Sequence, residues 1–174
     1  AVSDLNNDGL SDIVQLSYGS NLKIIFGSST NNFVAYSNTS SCCGGSGIAV
    51  ADFLNNGTKS FIITDTYDTP SGKYLNKLVT WNITGGNLSI TEYSALPTPR
   101  FLLPKWASYN FGGDPAGKMS HNVRVLAFDF DSSGVASAVV FARPVLTNGI
   151  WPTFSEVQFL KNNGSGTFTD VTDT

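Results

Sequence analysis

Apolar residues in this chain come in short runs separated by polar punctuation, and the runs recur in a fixed order. Ile13-Val14, Phe61-Ile62-Ile63 and Ala138-Val139-Val140-Phe141 each follow a segment rich in Asp, Asn, Ser and Gly. Ahead of the second and third of these segments lie Ile48-Ala49-Val50-Ala51 and Val123-Arg124-Val125-Leu126-Ala127-Phe128. Strand-like stretches follow at 22–26, 77–83 and 156–160, and, beyond a polar turn, at 32–36, 88–93 and 167–171. The turns carry Gly27-Ser28-Ser29, Gly85-Gly86-Asn87 and Asn162-Asn163-Gly164-Ser165-Gly166, the residue types that leave regular structure most readily. No window of about eleven residues has a helical period. The pattern predicts an all-β protein built from one four-strand unit occurring three times.

The polar segments confirm that the unit repeats. Asp4-Leu5-Asn6-Asn7-Asp8-Gly9-Leu10-Ser11-Asp12, Asp52-Phe53-Leu54-Asn55-Asn56-Gly57-Thr58-Lys59-Ser60 and Asp129-Phe130-Asp131-Ser132-Ser133-Gly134-Val135-Ala136-Ser137 share one register. In each, Gly lies five residues after the first Asp and an apolar strand begins at the same offset. Four antiparallel strands in a repeat of about 45 residues is the signature of a β-propeller blade. The expected blades are residues 1–41, 46–96 and 121–174, with a long loop over 97–120 that carries four of the prolines or borders them closely: Pro97, Pro99, Pro104 and Pro115. That loop also holds Arg100, Phe101, Lys105, Trp106, Tyr109 and Phe111, and it reads either as a binding loop on a rigid scaffold or as a decoration. Propellers close with roughly four to eight blades, and the first blade opens with only Ala1-Val2-Ser3. The expectation is a segment of a longer propeller; an assembly of chains completing the ring and an open array of blades are the alternatives.

The first polar segment has the chemistry of a calcium loop. Asp4, Asn6, Asp8 and Asp12 place oxygen at alternate positions, Leu10 can add its backbone carbonyl, and Gly9 sits where a loop around a cation must turn. Calcium takes six to eight hard oxygen ligands at roughly 2.3–2.6 Å, and such a loop supplies five. The spacing matches the first half of an EF-hand loop. It departs from it at Gln15, where the EF-hand has Glu, and in the strand-like run that follows in place of a helix. An Asn/Asp/Gly turn without a metal is the other reading.

The chain resembles the FG-GAP or VCBS-type repeats that build integrin-α-like β-propellers. The resemblance rests on Asp4 to Val14, on Ile24-Ile25-Phe26-Gly27 and on the run from Leu160 to Thr172, and it covers nearly everything outside the long loop. It implies a calcium ion in the first loop, held by Asp4, Asn6, Asp8, the Leu10 carbonyl and Asp12. The second loop departs from the family pattern, with Leu54 at the second ligand position and Ser60 at the last. The third keeps Asp129, Asp131 and Ser133 but ends in Ser137, a weaker site. In both, the turn itself gives Asp and Gly a reason to be present.

Composition narrows the function. Charged residues are 13% of the chain, the net charge is −3 and the pI is near 4.9, with no basic cluster of the kind nucleic-acid binding needs. No apolar run approaches the ~20 residues of a membrane span. Low charge with abundant Asn, Ser, Thr and Gly suits a secreted or cell-surface protein. The two cysteines are adjacent, Cys42-Cys43. A vicinal disulfide ring, two free thiols and pairing with other chains are the readings open to them. A zinc site needs four ligands, and His121 is the single histidine. No nucleophile elbow surrounds Ser120-His121, and Gly44-Gly45-Ser46-Gly47 lacks the Lys and helix of a phosphate loop. The expectation is therefore a non-catalytic, calcium-stabilised propeller module for adhesion, recognition or extracellular assembly, with a protein or glycan ligand at the cell surface or matrix. A lectin using Trp81, Trp106 or Trp151 is the first alternative. The propeller part of a calcium-dependent polysaccharide lyase or of a large toxin is the second.

Overall fold

The computed structural model describes residues 1–17, 21–38, 45, 47–68, 73–97, 123–142 and 156–173. Among them there are strands and turns but no helix. The first sheet holds β1 (Val2–Ser3), β2 (Asp12–Ser17), β3 (Asn21–Phe26) and β4 (Val34–Ser37). The second holds β5 (Gly47–Ala51), β6 (Ser60–Asp68), β7 (Lys73–Thr84) and β8 (Asn87–Ala95). The third holds β9 (Val123–Phe128), β10 (Ser137–Ala142), β11 (Glu156–Asn162) and β12 (Phe168–Asp170). Every sheet is a four-stranded antiparallel meander in which chain neighbours are sheet neighbours. The protein is all-β, with one sheet per repeat.

Most strands sit where the apolar runs lie. The β6–β7 hairpin is the exception: it extends through Thr66, Tyr67 and Asp68 opposite Leu75, Tyr74 and Lys73, after a register shift between Ile63 and Thr66. Backbone ladder bonds form between any extended segments, so polar residues can lengthen a hairpin that hydrophobic patterning would end earlier. The first unit has a two-residue first strand, Val2–Ser3, paired to Ile13 and Asp12.

The sheets stack face on face in chain order. Rows of residues directly opposite one another run across each sheet, and each sheet presents two such rows, one per face. In the first sheet Val14, Ile24 and Tyr36 form one row and face the second sheet's row of Val50, Phe61 and Val79. The second sheet's other face carries Ala49, Ile62 and Leu78, packed on Ala127, Ala138 and Leu160 of the third. The middle sheet is thus covered on both sides. This explains why β6 reads as an unbroken apolar run, Phe61-Ile62-Ile63, where a half-buried strand would alternate. Phe61 and Ile62 are both fully buried, each stabilising the stack by about 1.5–3 kcal/mol relative to exposure.

Candidate metal-binding loops

The three polar segments fold as one loop three times. In each, the first Asp accepts two backbone N–H groups. The Gly9, Gly57 and Gly134 N–H donate to Oδ2 of Asp4, Asp52 and Asp129 at 2.9, 2.7 and 2.7 Å. The Asp8, Asn56 and Ser133 N–H donate to the corresponding Oδ1 at 3.2, 3.0 and 3.0 Å. The side chain at that last position then accepts the N–H two residues on: Asp8 Oδ1 from Leu10 at 2.8 Å, Asn56 Oδ1 from Thr58 at 2.9 Å, Ser133 Oγ from Val135 at 3.3 Å. Asx and Ser/Thr side chains are suited to such local bonds. Backbone conformation follows the same rhythm. Asn7, Asn55 and Ser132 have φ of 60°, 52° and 57°, and Gly9, Gly57 and Gly134 have φ of 84°, 82° and 79°. A left-handed residue costs least as Gly, which gives the fifth-position glycine its physical reason without any metal.

The loops differ in the side chains they hold toward that scaffold. In the first, Asp4 is half-buried, Asn6 and Asp8 are exposed and Leu10 is half-buried. The Asn6 amide nitrogen donates to Asp8 Oδ2 at 2.9 Å, and Asn6 Oδ1 accepts the Asp8 N–H at 3.2 Å. The second has Leu54 where Asn6 stands, and that leucine packs on the core between the second and third sheets. The third has Asp131 there, and Lys161 Nζ on β11 lies 2.7 Å from Asp131 Oδ2. This contact, followed by the Ser133 hydrogen bond, holds the Asp131 carboxyl down at about 2. The third loop therefore carries an ammonium group at its second acidic side chain, and no described Lys or Arg is paired with Asp4 or Asp8.

Asp12 stands apart from the other acids of the first loop. It is fully buried, and its carboxylate accepts the Leu5 N–H at 2.7 Å and the Gly27 N–H at 2.8 Å. It ties the loop to the end of β3. The equivalent Ser137 Oγ accepts the Asn162 N–H at 3.1 Å, so a smaller side chain makes half of the same tie. Among the described residues, no three or more His, Cys, Asp or Glu side chains gather in a cluster able to hold a metal ion. The calcium expectation also counts the Asn6 amide oxygen and the Leu10 carbonyl, which like the Asp4, Asp8 and Asp12 carboxylates are hard oxygens, the kind calcium takes.

Two contributors were not apparent in the motif. Lys161 lies far along the chain from Asp131, and nothing in its own neighbourhood marks it as that residue's partner. Asn162 resembles an ordinary turn residue, yet it is buried and its amide donates to the Phe53 carbonyl at 2.7 Å and the Ala136 carbonyl at 2.9 Å. It joins the second loop to the third sheet. A weaker contact links the first two loops, from the Asn7 amide to the Gly57 carbonyl at 3.4 Å.

Of the aromatic candidates for sugar stacking, Trp81 is packing material. Its ring lies 6.0 Å from Phe26 and stacks at 6.3 Å on Phe61, and its Nε1 donates to the Lys59 carbonyl at 2.9 Å. Trp106, Trp151, Cys42, Cys43, His121 and the loop over 98–120 lie outside the described residues. No helix among the described residues is long and apolar enough to cross a membrane. No protein-family model matches the chain, and a search of the curated proteins finds no match.

Proposed function

We propose that the chain is a non-catalytic β-propeller module of the FG-GAP/VCBS kind, working outside the cell in adhesion, recognition or assembly and stabilised by calcium in its first loop. The observation that carries this reading is the contrast among three loops of one geometry. The second has lost a ligand position to Leu54, the third has Lys161 beside Asp131, and the first alone combines Asp4, Asn6 and Asp8 with no such cation among the described residues. Calcium there would draw on Asp4, Asn6, Asp8, the Leu10 carbonyl and Asp12, and would neutralise the Asp4 and Asp8 carboxylates on one short turn. Asp12 already orients the loop through its two backbone donors. The ion's contribution is to clamp the turn between β1 and β2. The propeller reading is supported by three like sheets stacked in chain order, each with an equivalent loop between its first two strands. A lectin role for Trp81 is disfavoured by its packing against Phe26 and Phe61.

Calcium titration by calorimetry, with thermal melts in calcium and in EDTA, tests the metal. Binding at ~100 times Kd stabilises by about 2.7 kcal/mol, so the melting midpoint should rise in calcium. Asp8→Ala should abolish most of that rise and leave the EDTA melt nearly unchanged. Identical wild-type melts in calcium and EDTA, with no heat of binding, would overturn the calcium assignment.

A further inference from the structure

The strand that follows each loop meets the third strand of its sheet in one register. Ile13, Phe61 and Ala138, the first residues past the three loops, lie opposite Ile25, Val79 and Leu160. The next residue along the third strand is therefore equivalent in the three sheets: Phe26, Thr80 and Lys161. Phe26 packs its ring against Tyr36 at 5.8 Å and Trp81 at 6.0 Å. Thr80 Oγ1 donates to the Thr91 carbonyl at 3.4 Å. Lys161 is the charged member of the set, and its Nζ lies 2.7 Å from Asp131 Oδ2 in the third loop. One register position thus supplies a cation to the third loop and none to the other two.

The ammonium group meets the one carboxylate oxygen that the turn itself does not serve. Asp129 Oδ1 and Oδ2 accept the Ser133 and Gly134 N–H groups, and Asp131 Oδ1 accepts the Ser133 N–H at 3.3 Å. Asn6 Oδ1, at the same place in the first loop, accepts the Asp8 N–H at 3.2 Å, so the two side chains are oriented alike. Their remaining atoms differ. Asn6 Nδ2 is a neutral donor that bonds Asp8 Oδ2 within the turn at 2.9 Å, whereas Asp131 Oδ2 takes a full positive charge from β11. Packing places the two partners together. Phe130, the residue before Asp131, sets its ring 6.3 Å from Phe159, and Phe159 shares a face of β11 with Lys161. A calcium ion using Asp131 Oδ2 would share that oxygen with the ammonium group, and two cations so close repel.

We propose that Lys161 is the resident cation of the third loop, taking the place at Asp131 that a calcium ion would need and closing this loop to divalent metal in the native chain. The comparison with calcium rests on the reading of the loops given above; the occupant rests on the Lys161–Asp131 geometry. Asp129, Asp131 and Ser133 are then a turn completed by the chain's own side chain. The third loop keeps its form when calcium is absent, and calcium dependence is confined to the first.

Thermal melts in EDTA and in calcium, at matched ionic strength, test the proposal in an Asp8→Ala background that takes the first loop out of the reading. Asp8→Ala alone should melt nearly alike in both buffers. Adding Lys161→Met should leave the circular-dichroism spectrum unchanged and make the midpoint rise in calcium. The rise should be about 3–6 °C in roughly 10 mM calcium, for a site with a dissociation constant of about 1 mM. A further Asp131→Asn should remove that rise. Lys161→Arg in place of Lys161→Met keeps the charge and should leave the chain indifferent to calcium. A Lys161→Met chain that ignores calcium overturns the proposal. So does a Lys161→Arg chain that responds as strongly, or a calcium rise in Asp8→Ala alone that Asp131→Asn abolishes. Identical wild-type melts in calcium and EDTA would remove calcium from the first loop and leave each of these outcomes readable.

Discussion

Asp8 and Asp12 look interchangeable in the first loop's pattern and are held in opposite ways. Asp8 is exposed and makes its bonds within its own turn. Asp12 is buried and fixes two backbone N–H groups from different elements. Leaving a buried donor unsatisfied costs about 1–3 kcal/mol, so Asp12→Ala should destabilise the protein by about 2–4 kcal/mol in EDTA as well as in calcium. Urea unfolding in both buffers separates it from Asp8→Ala, whose effect should appear only with calcium present. An Asp12→Ala chain as stable as wild type in EDTA would remove the tie. The Asp131–Lys161 pair makes a prediction of opposite character, about charge and not burial. Its carboxyl sits at about 2, below its ordinary 3.8. Because the folded value is the lower one, the favourable contribution is complete above the ordinary carboxylate range and disappears as pH falls toward 2. A carbon-detected NMR titration of Asp131 should show that low midpoint, and Lys161→Met should return it toward the ordinary range. An unshifted midpoint in the wild type would mean the pair does not form in solution.

At the scale of elements, a loop and a strand end are fitted together as a unit. Gly27, just past β3, passes so close to the first loop that a β-carbon there would lie 2.6 Å from the Ser11 carbonyl oxygen and 3.1 Å from Leu10 Cβ. Its N–H is also one of the two that Asp12 holds. Gly27→Ala should therefore move the end of β3 off the loop and lower stability by roughly 1–3 kcal/mol, read by thermal melting. No change in melting would show that the loop yields easily. The strands themselves were legible in the chain. The apolar runs and Gly/Asn/Ser turns marked all four strands of the second and third units and the last three of the first, because alternation and turn chemistry act over a few residues. The longer reach of β6 and β7 was not legible, since ladder bonds between Thr66, Tyr67 and Asp68 and their partners need no apolar signal. In the candidate site, the positions of Asp, Asn and Gly could be read directly from spacing. Which carboxylate is a tie, and which is matched by an ammonium group, depends on Gly27 and Lys161, partners set by strand pairing and not by nearness in sequence.

For the molecule as a whole, the arrangement of faces is what gives the chain its direction. A sheet buried on both sides, one row to each neighbour, cannot be told from its own sequence to point one row backwards and the other forwards. Phe61 and Ile62 are adjacent, equally apolar and equally buried, yet Phe61 packs toward the first sheet and Ile62 toward the third. Leu5 and Phe53 hold one position in the repeat and are buried under a following sheet, whereas Phe130 at that position is 36% exposed. Asn162 reinforces the same order by carrying its amide from the third sheet to the Phe53 carbonyl of the second loop. By itself, the sequence determined that this protein is all-β, that its unit of four strands recurs three times, and that a loop of Asp, Asn and Gly introduces the second strand of each unit. Those are consequences of local periodicity and turn chemistry. Only the tertiary structure decided which apolar rows meet and which acids of the loops are held by buried N–H groups or by Lys161. Contacts of that kind arise between residues far apart in the chain, where packing and charge, and no local pattern, select the partner.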